Sequence, residues 1–179
     1  DLFRSNRLRS VVADLQSPEA TIRDSAIERL EAMAKSGLTR DEARYALSAA
    51  AEAFPPLKYE WQSAAEELVS AASSAPDSSL VAPLLEHFDR YPASAQGAAI
   101  RLLAAIPDEK AAEALLAMLA RCPEDADPGE LRGLSEAPRH PDVLYPGLLR
   151  LLSRDALRWS ILRVTLDYLE AGQLSSPDI

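Results

Sequence analysis

The chain has 179 residues, 47% of them apolar and 26% charged, with 28 acidic against 19 basic side chains and a formal net charge of −9. That length suits one domain or one short repeat array, and the apolar content excludes a disordered acidic tail. Nucleic-acid backbones and anionic lipid headgroups are bound through Lys and Arg, so the acidic balance argues against nucleic acid and against a membrane as partners.

About a third of the residues are Ala or Leu, the strongest helix formers, and only 6 are Gly. The expected fold class is therefore all-α. Cys122 is the only cysteine, which rules out an intramolecular disulfide and fits a reducing, cytoplasmic setting. The longest apolar stretches fall short of the roughly 20 residues that span a bilayer. The chain opens Asp1-Leu2-Phe3-Arg4 without an initiator Met or an apolar leader, which reads as an excised domain or processed piece.

In chain order, the first clear helical pattern starts at Pro18. Ile22, Ala26, Leu30 and Met33 fall on one stripe, Ser17 is placed to cap, Pro18 takes the first helical position, and Gly37 ends the helix. Thr39 followed by Glu42 predicts a capping box opening a helix that runs to about Phe54, before Pro55 and Pro56. Further helices are expected over 59–72, over 79–90 with Asp77 as cap, and over 93–106, 108–121, 129–136, 140–152 and 155–171. Prolines 76, 92, 107, 123, 128, 138 and 141 punctuate them, while Pro83 and Pro146 fall in first turns. No stretch alternates apolar and polar residues as a strand would.

The helices are short and paired, and a phrase recurs in the second member of each pair. Ser25-Ala-Ile-Glu-Arg-Leu30 matches Ser63-Ala-Ala-Glu-Glu-Leu68 and Gly97-Ala-Ala-Ile-Arg-Leu102. More weakly, it matches the segments beginning at Gly129 and Ser160. The small residue recurs at spacings of 38, 34, 32 and 31, within the range of helical-pair repeats. A small side chain followed by apolar ones at +1, +2 and +5 suits close stacking.

The segment from Asp14 to Leu30, Asp-Leu-Gln-Ser-Pro-Glu-Ala-Thr-Ile-Arg-Asp-Ser-Ala-Ile-Glu-Arg-Leu, resembles the turn and second helix of a HEAT repeat, in particular the short HEAT-like repeats of bacterial proteins. The segment opening at Asp108 resembles the first helix of such a unit. The resemblance implies a right-handed α-solenoid of about five antiparallel helix pairs within one domain, 1–179. The approximate repeats are 7–36, 39–73, 77–106, 108–137 and 140–171. It also implies a non-catalytic scaffold that binds a protein partner on the concave face lined by second helices.

Candidate side chains follow from that alignment. Trp61 falls at the position of Arg23 and Trp159 at that of Asp24, both in the first turn of a second helix. Aromatic and Arg side chains there suit partner anchoring, the alternative being packing against an inter-repeat loop. Arg23, Trp61, Trp159 and Arg163 are thus the expected partner-binding residues. Arg150, Arg154, Arg158 and Arg163 cluster around the last helix, and spacings of four put Arg150, Arg154 and Arg158 along one helical side if the last two helices run nearly continuously; the alternative is pairing with surface acids.

No metal site is expected, because His87, His140 and Cys122 lack ligand spacing. No nucleophile elbow, P-loop or dinucleotide fingerprint occurs, so neither catalysis nor a cofactor is expected. HEAT-like architecture also builds DNA glycosylases and bilin lyases, and regulatory or dimerisation segments of larger proteins. Those remain alternatives, although Lys occurs only at 35, 58 and 110 and no basic ridge forms.

Overall fold

The computed structural model describes residues 2–54, 59–121, 134, 140–170 and 172, with backbone alone at 2–6, 59–62 and 156. Among them the chain is all-helical and holds no strand. The helices are α1 (Leu2–Leu15), α2 (Ala20–Ser36), α3 (Arg40–Glu52), α4 (Tyr59–Ala72), α5 (Val81–His87), α6 (Ala93–Ala105), α7 (Glu109–Leu119), α8 (Pro141–Arg150) and α9 (Asp155–Glu170). The expected helix over 129–136 lies outside the described residues apart from Leu134, as do Cys122 and the Trp61 side chain.

Local chemistry accounts for most of the boundaries. Thr39 and Glu42 form the predicted box: the Glu42 N–H donates to Thr39 Oγ1 at 3.3 Å, and the Thr39 N–H donates to Glu42 Oε2 at 2.8 Å. Asp108 accepts from the Lys110 N–H at 3.0 Å and caps α7. Asp77 accepts from the Ser79 N–H at 2.8 Å. Hydrogen bonding from Ser79, with Arg40 behind it, holds the Asp77 carboxyl below the usual aspartate range. Gly37 ends α2 at φ +82, a conformation that favours glycine.

Three expected boundaries are corrected. Helix α2 begins at Ala20 rather than Pro18, and Ser17 Oγ receives the Glu19 N–H at 3.2 Å in a turn before the helix instead of capping it. The segment over 79–90 divides into a 3₁₀ turn (Ser78–Leu80), α5 and a second 3₁₀ turn (Phe88–Arg90). Pro83 has no N–H for an i−4 bond, and Tyr91, ahead of Pro92, takes the extended conformation that a following proline favours. Pro146 lies inside α8, beyond its first turn.

The helices pack in two rows. In one, α1, α3, α5, α7 and α8 touch in succession; in the other, α2, α4 and α6 do so. Across the rows α1 lies on α2, α3 on α4, α5 on α6 and α8 on α9. The recurrent phrase is the seam between them. Its +1 residues Ala26, Ala64, Ala98 and Ile161 are buried, as are its +5 residues Leu30, Leu68, Leu102, Leu134 and Thr165.

Burying each such Leu contributes about 1.5–3 kcal/mol. Thr165 fits there because its hydroxyl donates to Ile161 O at 2.9 Å. Two buried tyrosines tie elements together, Tyr91 donating to Leu47 O at 3.1 Å and Tyr168 to Leu134 O at 3.2 Å. Burial raises both phenols well above their ordinary range. Gly147 lets α8 approach α7 closely: a Cβ there would stand 2.2 Å from Leu116 Cδ1.

Candidate protein-binding surface

Helix α9 is amphipathic in an unusual way. Leu157, Ile161, Val164 and Tyr168 enter the core, but on another side Trp159 is 78% exposed, Leu166 55% and Leu162 39%. Spacings of three and four residues put these three on one stripe. Solitary exposed apolar residues are ordinary, whereas three on one stripe of one helix make a candidate recognition surface.

The stripe occupies a defined register. Counting from the small residue of the recurrent phrase, Leu162, Leu166 and Leu169 stand at +2, +6 and +9. The same positions are Ala65, Val69 and Ala72 on α4, and Ala99, Leu103 and Ile106 on and just after α6; all six are 0% exposed. On α2, the +6 and +9 residues Glu31 and Ala34 line a groove of about 300 Å³ whose far wall is Glu67, Ser70 and Ala71 of α4. These positions are sealed on α4 and α6, whereas on α2 Glu31 is exposed, and on α9 Leu162 and Leu166 are exposed and Leu169 is half-buried.

Charged groups border the stripe. Arg163 is exposed and pairs with Asp167 at 3.3 Å. Arg158 pairs with Asp155 at 2.5 Å and donates from Nε to Leu152 O at 3.2 Å, near the C-terminal end of α8. Arg154 donates to Leu119 O and Ala120 O, which satisfies carbonyls at the end of α7. The basic group is thus divided: Arg154 reaches the end of α7, Arg158 the end of α8, and Arg163 stays in the middle of α9, because residues 151–154 form a turn that separates α8 from α9. Residues 140–170 carry four acidic and four basic side chains, a neutral region in a chain of net charge −9.

Among the other expected binding residues, Arg23 has a job inside the fold. Its Nη1 donates to Ser17 O and Pro18 O, both at 2.9 Å, and braces the turn between α1 and α2. Helix α2 packs mainly on α1 and α4, and α9 on α8, so Arg23 is not brought together with Trp159 and Arg163. Leu162 and Leu166 were not singled out in the sequence, although leucines at +2 and +6 of the aligned phrase carry the signal.

His87 is buried beside Tyr91, with ring centroids 6.5 Å apart, and its Nδ1 contacts Arg90 Nη2. Arg9 lies over the Tyr45 ring at 5.6 Å, a cation–π contact. A pocket of about 90 Å³ lined by Arg7, Met33, Ser36, Gly37, Leu38 and Glu42 falls below the size of ligand sites.

Among the described residues no three His, Cys, Asp or Glu side chains are grouped to hold a metal, and no helix is long and apolar enough to cross a membrane. Compared with family models, with curated proteins and with solved structures, the chain matches none.

Proposed function

We propose that this chain is a non-catalytic protein-binding scaffold, a right-handed HEAT-like α-solenoid of five antiparallel helix pairs that engages a protein partner through its row of second helices. The fivefold phrase at Ser25, Ser63, Gly97, Gly129 and Ser160 supports the solenoid, as does the helix-by-helix succession of contacts in each row. In the HEAT-like reading that second row lines the concave side. The observation that carries the function is Trp159, 78% exposed at the head of an apolar stripe and bordered by Arg163. Trp and Arg are the side chains that most often dominate interface energetics.

Affinity purification from the native host, read by mass spectrometry, tests this reading. Trp159→Ala and Arg163→Ala are expected to lose the partner enriched by the unaltered chain, and Arg23→Ala is expected to keep it. Equal enrichment with Trp159→Ala and Arg163→Ala would overturn the assignment.

A further inference from the structure

We propose that the groove between α2 and α4 seats an arginine side chain from a basic segment of a partner protein. The groove lies apart from Trp159 on α9, so the proposal stands whether or not that face engages a partner.

Two seams of the same row differ in charge. Between α4 and α6, Glu66 meets Arg101 at 3.5 Å, and Ala65, Val69 and Leu103 beside the pair are sealed. Between α2 and α4 the corresponding side chains are acids: Glu67 holds the place that Arg101 holds on α6, and Glu31 the place of Val69 and Leu103. A carboxylate at that point is costly to bury unpaired. The seam is open there as a groove of about 300 Å³.

The groove offers both surfaces that an arginine uses. Leu30, Ala34 and Ala71 line it with apolar atoms for the methylene stem. Glu31 on one wall, with Glu67 and Ser70 on the other, supplies acceptors for the planar head. A guanidinium donates from several N–H groups in a fixed fork and can serve two carboxylates at once, which favours Arg over Lys.

Glu67 is the carboxylate that lacks a cation. Glu31 pairs with Lys35 of its own helix at 3.6 Å, and Glu66 with Arg101. Among the described residues Glu67 has neither an ion pair nor a hydrogen bond. Burial, then Glu31, then Glu66 raise its carboxyl, and no described cation offsets them. An arriving guanidinium relieves both repulsions. A metal ion fits less well, because no three ligating side chains are grouped among the described residues.

The test follows the isotope-labelled full chain by amide NMR during titration with a short Gly/Ser peptide carrying Arg-Leu-Arg. A twin peptide carries citrulline, which keeps the shape of arginine without its charge. Shifts are expected to centre on residues 30–35 and 67–71, with the citrulline twin bound at least about tenfold more weakly. Glu67→Gln should weaken the Arg peptide by about fivefold or more and should fold at least as well as the parent, since the ionised carboxylate opposes folding. Glu113→Gln removes the same charge from an exposed site on α7 and should leave the affinity within about twofold. In the bound state the Glu67 carboxyl should titrate at lower pH than in the free chain.

Equal affinity for the two peptides, binding of neither, or equal losses from Glu67→Gln and Glu113→Gln overturns the proposal. So do calcium ions that reproduce the same shifts at the same concentration, which would make the occupant an inorganic cation. Shifts at the groove when the chain alone is concentrated would make the occupant a second copy, and overturn it too. None of these results touches the scaffold reading, which is tested at Trp159 and Arg163.

Discussion

The middle of the molecule and its last helix use one register with opposite outcomes. Ala65, Val69 and Ala72 of α4, like Ala99, Leu103 and Ile106 at α6, are shut away from solvent, whereas Leu162 and Leu166 stand open on α9. The side chains alone do not explain this, since Leu103 and Leu166 are the same residue at the same position. What differs is how many helices lie against each: α4 packs on α2, α3 and α6, and α6 on α4, α5 and α7, whereas α9 packs mainly on α8 among the described helices. A helix with fewer neighbours leaves more of its apolar face open to solvent.

The sharpest way to break the comparison is to truncate the matched leucines. Leu103→Ala is expected to destabilise the chain by about 2–5 kcal/mol, the range for a buried Leu that leaves a cavity. Leu166→Ala should fall within about 0.5 kcal/mol of the parent, as surface changes do. Urea denaturation reads both, and similar losses would mean that α9 is covered.

A smaller effect is expected at the α7–α8 contact. Gly147→Ala forces Leu116 aside, an overpacking cost of about 1–3 kcal/mol, partly offset by about 1 kcal/mol of helix propensity. The net loss of roughly 1 kcal/mol should disappear when Leu116→Ala makes room.

Across the α4–α6 seam, a double-mutant cycle of Glu66→Ala and Arg101→Ala should give a coupling of about 0–1 kcal/mol, because both groups are well exposed. A coupling well above that range would mean that the pair is shielded from solvent.

The smallest effect concerns Glu67. Burial first, then Glu31 and Glu66, raise its carboxyl above the ordinary 4.5. The folded state therefore holds this proton to higher pH than the unfolded chain does, and the ionised carboxylate opposes folding at neutral pH. Glu67→Gln should raise the urea midpoint slightly at pH 7, and the gain should fade as pH falls through the carboxylate range.

Much of the fold was legible because its signals are local. Thr39 with Glu42, Asp108 and Gly37 act within one turn of chain and do what their types predict. The small-residue phrase also marks the buried +1 and +5 positions, since stacking leaves a periodic imprint; its +2 position is buried at Ala65 and Ala99, partly buried at Ile27 and exposed at Leu162. In α1 the buried Leu8, Val11 and Leu15 carry the same helical spacing.

Features set by tertiary surroundings were less legible. Ile22 was placed on the core stripe of α2, but it is 37% exposed while Ala26, Leu30 and Met33 are buried. Arg23 looked like a ridge residue, but its long side chain turns back to orphaned carbonyls at Ser17 and Pro18. Trp159 was found because Trp is conspicuous in a charged slot. Leu162 and Leu166 were not, because a leucine at a stacking position looks the same whether or not a helix lies over it.

The most direct measurement is hydroxyl-radical footprinting of the purified chain at micromolar concentration, read residue by residue by mass spectrometry. The account predicts that Leu162 and Leu166 react roughly tenfold or more faster than Leu103 and Val69, with Trp159 strongly labelled and no change on dilution. Protection of Leu166 to the level of Leu103 would contradict it, because the exposed face of α9 would then be covered.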